Sequence, residues 1–280
     1  MSNDKSKLYI KILLIFTAVI LVTVVLTLFV FPSLYENDCK TRVNKELEAK
    51  LTPDVQSSNI CVIRRQSKIT GDTEQLTFSA GASGVIFEKQ AGTYYALTAY
   101  HVVEQADENT KFLIQPSYVP PFSESTGTVA EYYRQFPAAK IEYFSKEYDL
   151  AVLSFYSGEK LGILNVARTN AEKDTQIAVV SNPEGERFTH TFGSIISNDM
   201  TYFSGNDGAE SNFIIKHNAY IAPGSSGSAV LSFNSGEAEI VGINIGGARN
   251  FMGKFSYGAM IPCQHVRSFL NNWKAGGYEK

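Results

Sequence analysis

Apolar and polar positions change their rhythm twice along this chain. At the start, ILLIFTAVILVTVVLTLFVF, residues 12–31, carries no charge, no proline and no glycine. At about 1.5 Å per helical residue the run is long enough for a hydrocarbon core of roughly 30 Å, so it predicts a transmembrane helix. A cleaved signal peptide is the other reading. Apolar cores of that kind usually run only about 7–15 residues, and no A-x-A-like site follows, only PSLYENDC. Residues 32–58 then read as a stalk. NKELEAKL favours helix, Val43, Leu47 and Leu51 recur every four residues, and Pro53 is expected to end the helix. Such a stripe is open to packing on a domain, lying on a membrane or self-association.

From about Ile60 the rhythm becomes that of short strands. NICVIRR, GVIFEK, YYALTAY, AKIEYF, DLAVLSF, QIAVV, FGSIIS, NFIIKH, SAVLSF, EIVGINI and YGAMIP all fit, and turn signals such as KQAG, NPEG, FNSG and NIGG separate most of them. Many short strands at this spacing indicate an all-β barrel or sandwich. QPSYVPPFSESTGTVAEYYRQFP interrupts the series as a long irregular surface insertion, and CQHVRSFLNNW closes it as a helix with Val266, Phe269, Leu270 and Trp273 on one side.

Composition narrows the picture. A chain of 280 residues suffices for one large domain or two small ones. The formal charge of −3 offers no basic field for nucleic acid. With 15 Tyr and 18 Phe, strands are favoured over a helical bundle. Lys5, Lys7 and Lys11 precede the apolar run, which places residues 1–11 in the cytoplasm and the rest outside, although Lys40, Arg42, Lys45 and Lys50 follow it. Three cysteines cannot all pair within the chain: Cys61 and Cys263 read as unpaired small hydrophobes, with a disulfide between them or an intermolecular one through Cys39 open in an oxidising compartment. No C-x-x-C or zincin spacing exists, so no metal site is expected.

The candidate chemistry lies in YIAPGSSGSAV. A serine hydroxyl is a poor nucleophile until a base takes its proton, so a histidine and an orienting carboxylate are needed. His190, His217 and His265 read as surface or capped residues. His101 ends a strand-like run, where an imidazole can be both held and reached. Asp149 stands at the entrance of DLAVLSF. The order His101, Asp149, Ser226 is that of chymotrypsin-like enzymes, and the G-x-S-x-G elbow of α/β-hydrolases is incomplete because position 228 is Ser.

Five segments in order resemble the trypsin-like serine protease superfamily, nearest its HtrA/Deg-like and glutamyl-endopeptidase branches. They are GASGVIFEKQAGTYYALTAYHVV, EYDLAVLSF, NPEGERFTHTFGSIIS, IIKHNAYIAPGSSGSAV and IVGINIGGARNFMGKFSYGAMIP, within about residues 58–273. The resemblance implies two six-stranded Greek-key β-barrels, about 59–157 and 163–262, a terminal helix over 263–274, and a site in the cleft between the barrels. No PDZ domain is expected, since the chain ends soon after that helix. Ser226 would be the nucleophile, His101 the general base and Asp149 the group that fixes its tautomer. The N–H groups of Gly224 and Ser226 would form an oxyanion hole, and Tyr220, Asn244 and Gly246 would shape the substrate pocket. Ser225 stands where trypsin has Asp, and Asn244 where glutamyl endopeptidases have His. Neither ammonium-driven zymogen activation nor a preference for glutamate is therefore carried over. The expectation is a single-pass, membrane-anchored serine endopeptidase of the 59–275 domain, catalytic outside the cytoplasm, acting on exported or misfolded polypeptides without any cofactor. Its oligomeric state is left open. The rival is a membrane-tethered, protease-like binding module that has lost turnover.

Overall fold

A computed structural model describes residues 2–71, 73–202 and 213–276, which divide into two compact units, 1–49 and 50–280. The first unit is helical: α1 (Ser2–Val25), a π-helical turn (Leu26–Val30) and α2 (Phe31–Glu48). Side chains 14–28 are exposed. Among the described residues no helix is long and apolar enough to cross a membrane; in the predicted span 12–31, side chains 12–13 and 29–31 lie outside the described residues.

Pro53 opens a helix instead of closing one. The stalk helix stops at Glu48, leaving Leu51 outside it, and α3 (Pro53–Ser58) begins with Pro53 in its first turn. A proline has no N–H to lose there and its φ suits the start of a helix. The Thr52 hydroxyl caps α3 by accepting from the Val55 N–H at 3.4 Å.

Six strands then close the first barrel: β1 (Asn59–Thr70), β2 (Thr73–Gln90), β3 (Thr93–Ala99), β4 (Thr110–Pro116), β5 (Ala138–Ser145) and β6 (Leu150–Tyr156), in the order β1-β2-β3-β6-β5-β4. The pairing of β1 with β4 completes the ring. The second half adds β7 (Asn165–Val166), β8 (Gln176–Ser181), β9 (Thr189–Tyr202), β10 (Phe213–His217), β11 (Ala229–Ser232), β12 (Glu239–Arg249) and β13 (Phe255–Pro262). They form a sheet in the order β11-β8-β9-β10-β13-β12-β7, and a further β11–β12 pairing joins six of them into a second ring. The short β7 lies parallel on β12 outside that ring.

Each barrel buries its own apolar face. Ile60, Val62, Ile86, Ala96, Leu153 and Phe155 pack in the first; Ile177, Val179, Ile195, Ile215, Val230 and Met260 pack in the second. Each fully buried Val, Ile, Leu, Met or Phe side chain among these stabilises by about 1.5–3 kcal/mol. Helix α6 (Cys263–Lys274) buries Val266, Phe269 and Leu270 and returns to the first barrel, where Trp273 meets Phe87 and Tyr95 and Phe269 meets Tyr143.

The 115–137 segment is more ordered than an irregular surface insertion. Thr128 and Glu131 form a reciprocal capping box for α5 (Val129–Arg134), and Tyr132, Tyr133 and Phe136 pack against Cys61, Ile63 and Leu113. All three cysteines are unpaired. His217, expected as a surface or capped residue, is fully buried; it faces Asn244 and Ala219 without a well-formed hydrogen bond from either ring nitrogen.

Candidate active site

β3 ends at Ala99, and the chain turns into the one-turn helix α4 (Tyr100–Val103), which carries His101 on the rim of the first barrel. Asp149 directly precedes β6, the neighbour of β3. It holds a left-handed backbone, φ +50°, a conformation uncommon outside glycine but most tolerated by Asn and Asp. Two bonds join the pair. The His101 backbone N–H donates to Asp149 Oδ1 at 2.9 Å, and His101 Nδ1 meets Oδ2 at 2.8 Å. The carboxylate side chain is 2% exposed and the imidazole 35%. An ionised carboxylate can only accept, so it selects the Nδ1–H tautomer and leaves Nε2 with the free lone pair. Burial pulls the His101 pKa down, but the hydrogen bond and charge of Asp149, with a smaller contribution from Glu104, outweigh it and the net shift is upward.

The Gly224–Ser228 turn brings in Ser226. Gly224 (φ +98°) and Gly227 (φ +82°) take angles that other residues rarely adopt. Space forbids a side chain too: a Cβ on Gly227 would fall 2.2 Å from Ser83 O, and one on Gly224 2.9 Å from Asn182 O. The turn is pinned by Ser225 N–H to Ala222 O at 3.0 Å, Gly227 N–H to Asn244 O at 2.8 Å and Ser83 N–H to Ser226 O at 2.9 Å. The Pro223 carbonyl accepts from the Glu184 N–H at 2.8 Å. Across a trans peptide the next N–H points the opposite way, so the Gly224 N–H faces away from the Glu184 loop. Among the described residues, neither the Gly224 nor the Ser226 N–H donates to another protein group.

Ser226 borders two clefts. One, of about 260 Å³, is lined by His101, Val102, Arg64, Ala82 and Phe112. The other, of about 210 Å³, is lined by Ile221, Ala222, Gly246, Ala248, Arg249 and Phe255. His101 and Ser226 thus share one wall, although among the described residues no hydrogen bond joins them.

Of the three predicted pocket residues only Gly246 lines the second cleft. The exposed Tyr220 ring packs edge-on against Phe255 at 5.3 Å, outside the lining. Asn244 is fully buried behind the turn and donates from Nδ2 to Ser225 O at 3.0 Å. Counting back from a nucleophile gives a position on the chain but not the direction of a side chain; Ile221, Arg249 and Phe255 are the residues this counting misses. Among the described residues no cluster of His, Cys, Asp and Glu could hold a metal ion.

Two β-barrels with a histidine–carboxylate pair and a glycine-bounded serine facing one cleft define the class of chymotrypsin-fold hydrolases. The model of the trypsin-like peptidase domain matches residues 82–243, and the chain belongs to that family as a serine endopeptidase. No curated protein matches the chain. Among solved structures it is similar to the HtrA-type protease AlgW with a decapeptide (19% identity, TM-score 0.61, 82% of this chain and 68% of that one). It is also similar to an inactive form of Rv3671c from M. tuberculosis (16% identity, TM-score 0.54, 80% of this chain and 90% of that one). At such identities the likeness is one of fold.

Proposed function

We propose that this chain is a single-pass, membrane-anchored serine endopeptidase that acts outside the cytoplasm on exported or misfolded polypeptides. The observation that carries the catalytic part is the His101 Nδ1–Asp149 Oδ2 contact of 2.8 Å, facing the cleft that Ser226 lines. Ser226 Oγ attacks the scissile carbonyl carbon while His101 Nε2 takes its proton. The carbonyl π pair moves onto oxygen, and the Gly224 and Ser226 N–H groups receive the new charge. Collapse of the tetrahedral adduct breaks the C–N bond, the leaving amine takes the proton from His101, and water repeats the cycle to free Ser226. Preorganised donors count most in this step because they are already aimed before charge develops.

The apolar run 12–31 supports the anchor by its length and lack of charge, and Lys5, Lys7 and Lys11 support a cytoplasmic N-terminus. The decapeptide of AlgW supports extended polypeptide as the ligand class. The alternative, a protease-like binding module without turnover, draws on the missing Ser226–His101 hydrogen bond. Such bonds often tighten only in the substrate complex.

A membrane-impermeant fluorophosphonate applied to intact cells tests all parts together. The expected result is labelling of Ser226 in protein that stays in the membrane pellet after an alkaline wash. Folded but unlabelled protein would leave the binding module as the answer. Labelling only after lysis would overturn the sidedness, and labelled protein in the wash would overturn the anchor.

A further inference from the structure

In zymogens of the trypsin type a buried ammonium pairs with the carboxylate before the nucleophile and so orders the oxyanion loop. Here that position is Ser225, 1% exposed, whose hydroxyl meets, among the described residues, the Ser181 hydroxyl at 3.2 Å and the Ala222 N–H at 3.3 Å. Neutral contacts of this kind leave open what holds the loop.

We infer that the buried Asn182 is a positioning residue that sets the Gly224 peptide for oxyanion binding. Asn182 is fully buried on the turn between β8 and β9. Its amide Nδ2 donates to Asn59 Oδ1 at 2.8 Å and to Ile60 O at 2.9 Å, both on β1 of the other barrel. Its Oδ1 accepts from the Phe188 N–H at 3.2 Å and lies 2.8 Å from the Ser117 hydroxyl, whose single proton is shared with Asn59 Oδ1. Both Nδ2 hydrogens and both Oδ1 lone pairs thereby have a partner within reach, which a buried amide needs.

Two paths lead from this residue to the oxyanion loop. In the first, the Asn182 backbone N–H donates to Ser83 Oγ at 2.9 Å, and the Ser83 hydroxyl donates to Gly224 O at 2.8 Å. A hydroxyl has a single proton, so the relay can run only from Asn182 through Ser83 to Gly224. In the second, Asn182 anchors the Pro183–Gly185 turn, whose Glu184 holds a left-handed φ of +52° and whose N–H captures the Pro223 carbonyl. Releasing that carbonyl would let the 223–224 peptide rotate and turn its oxygen toward the oxyanion position. Asn59, Ser117 and Asn182 come from three separate segments, so the loop is ordered by the docking of both barrels and needs no charge.

The inference rests on the catalytic reading above only for its kinetic part. The test uses the full chain with Asn182→Ala, Ser83→Ala and the hydroxyl-retaining Ser83→Thr. Amide hydrogen exchange across residues 220–228 reads loop order without any turnover. Both alanine variants should exchange faster there by more than their loss of global stability, read from the melting temperature, accounts for, and Ser83→Thr should stay near wild type. In parallel, kcat should fall by about 10²–10³-fold, as for a lost oxyanion donor, with KM within about twofold. A peptide boronate should lose affinity in proportion to kcat. If Asn182→Ala does not fold, Ser83→Ala carries the test. Unchanged exchange at 220–228 in folded Ser83→Ala would overturn the inference, as would a loss of activity matched only by loss of folded protein. A wild-type chain that neither hydrolyses nor labels would instead overturn the catalytic reading, and the exchange result would still decide the positioning.

Discussion

The two halves of the site are held in different ways. His101 and Asp149 stand at the ends of neighbouring strands β3 and β6, and both hydrogen bonds between them stay inside one barrel. Ser226 and Gly224 stand on a turn of the second barrel, yet Ser83 of the first barrel binds both of their carbonyls. The proposed acid–base half is therefore held within a single barrel, while the half proposed to bind and attack the carbonyl is held by contacts from both. Backbone strain follows the same division. The first half carries it on Asp149; beside the second it falls on Glu184, while Gly224 and Gly227 take their positive φ without that cost.

The sharpest way to break this comparison is at the nucleophile. Ser226→Ala is expected to lower turnover by roughly 10⁶-fold, while Ser225→Ala keeps most activity, measured as steady-state peptide hydrolysis. Equal inactivation by the two would remove the assignment. In the other half, Asp149→Asn is expected to cost about 10⁴ in turnover with substrate binding little changed, because the wrong tautomer would be held. Only neutral imidazole accepts the serine proton, and the His101 pKa is raised. Activity should therefore fall as pH drops through a midpoint above the usual imidazole value of about 6.5, and Asp149→Asn should move that midpoint down. The stability that His101 gains from Asp149 is fully present below the unfolded imidazole pKa and is lost as pH rises through the folded one. A rate independent of pH between about 5 and 8 would contradict the mechanism.

Next in size is specificity. The cleft between Ile221, Ala222, Gly246 and Phe255 should favour medium, uncharged side chains before the scissile bond, by about 10–200-fold per methylene-sized change. Arg249 at its rim is exposed and donates to Gly253 O at 3.2 Å, so solvent and that carbonyl weaken its claim on an acidic substrate. An unbiased peptide library that returned Glu, Lys or Arg would refute this.

A smaller effect separates the barrels in acid. Burial is the main cause that lowers the His217 pKa to about 4. Between the unfolded value of about 6.5 and that folded value the unfolded state binds the extra proton, so stability falls as pH falls through this window, by roughly 3 kcal/mol in total. Thermal melts of wild type and His217→Phe over this range should diverge, with the variant losing less; parallel curves would sink the claim. The smallest expected effect is none: a chain starting near Leu51 with an N-terminal tag should hydrolyse peptides equally well before and after tag removal. Activity that appeared only on exposing one new N-terminus would mean that Ser225 and its neighbours do not order the loop alone.

The strands were legible because alternation and turn residues mark a half-buried ribbon directly, and each of the eleven quoted runs overlaps a strand. TKFLIQP escapes the pattern because Phe112 to Gln115 are buried on both faces and leave no alternation to read. The α5 helix is too short for periodicity, although its Thr-Val-Ala-Glu cap was a usable signal. Pro53 carries opposite meanings at the two ends of a helix, and only the capping Thr52 distinguishes them. Motif and order pointed to His101, Asp149 and Ser226, and the fold puts His101 and Asp149 2.8 Å apart with Ser226 lining the same cleft as His101. Motif and order could not locate Asn182, whose partners lie more than a hundred residues away on β1.

Asn59 also sets a timetable for the growing chain. Its buried side chain donates to Val180 O at 2.6 Å and accepts from Asn182 and from Ser117, so of these three contacts only the one with Ser117 can form before the second half has been made. Synthesis at roughly 5–20 residues per second puts roughly 4–18 s between Tyr156, which completes the first barrel, and Asn244, which secures the serine turn. Through that interval the strands that hold His101 and Asp149 are in place while the turn of Ser226, the proposed nucleophile, is not yet secured. On the proposed assignment the active site is completed only when almost the last strand has been translated.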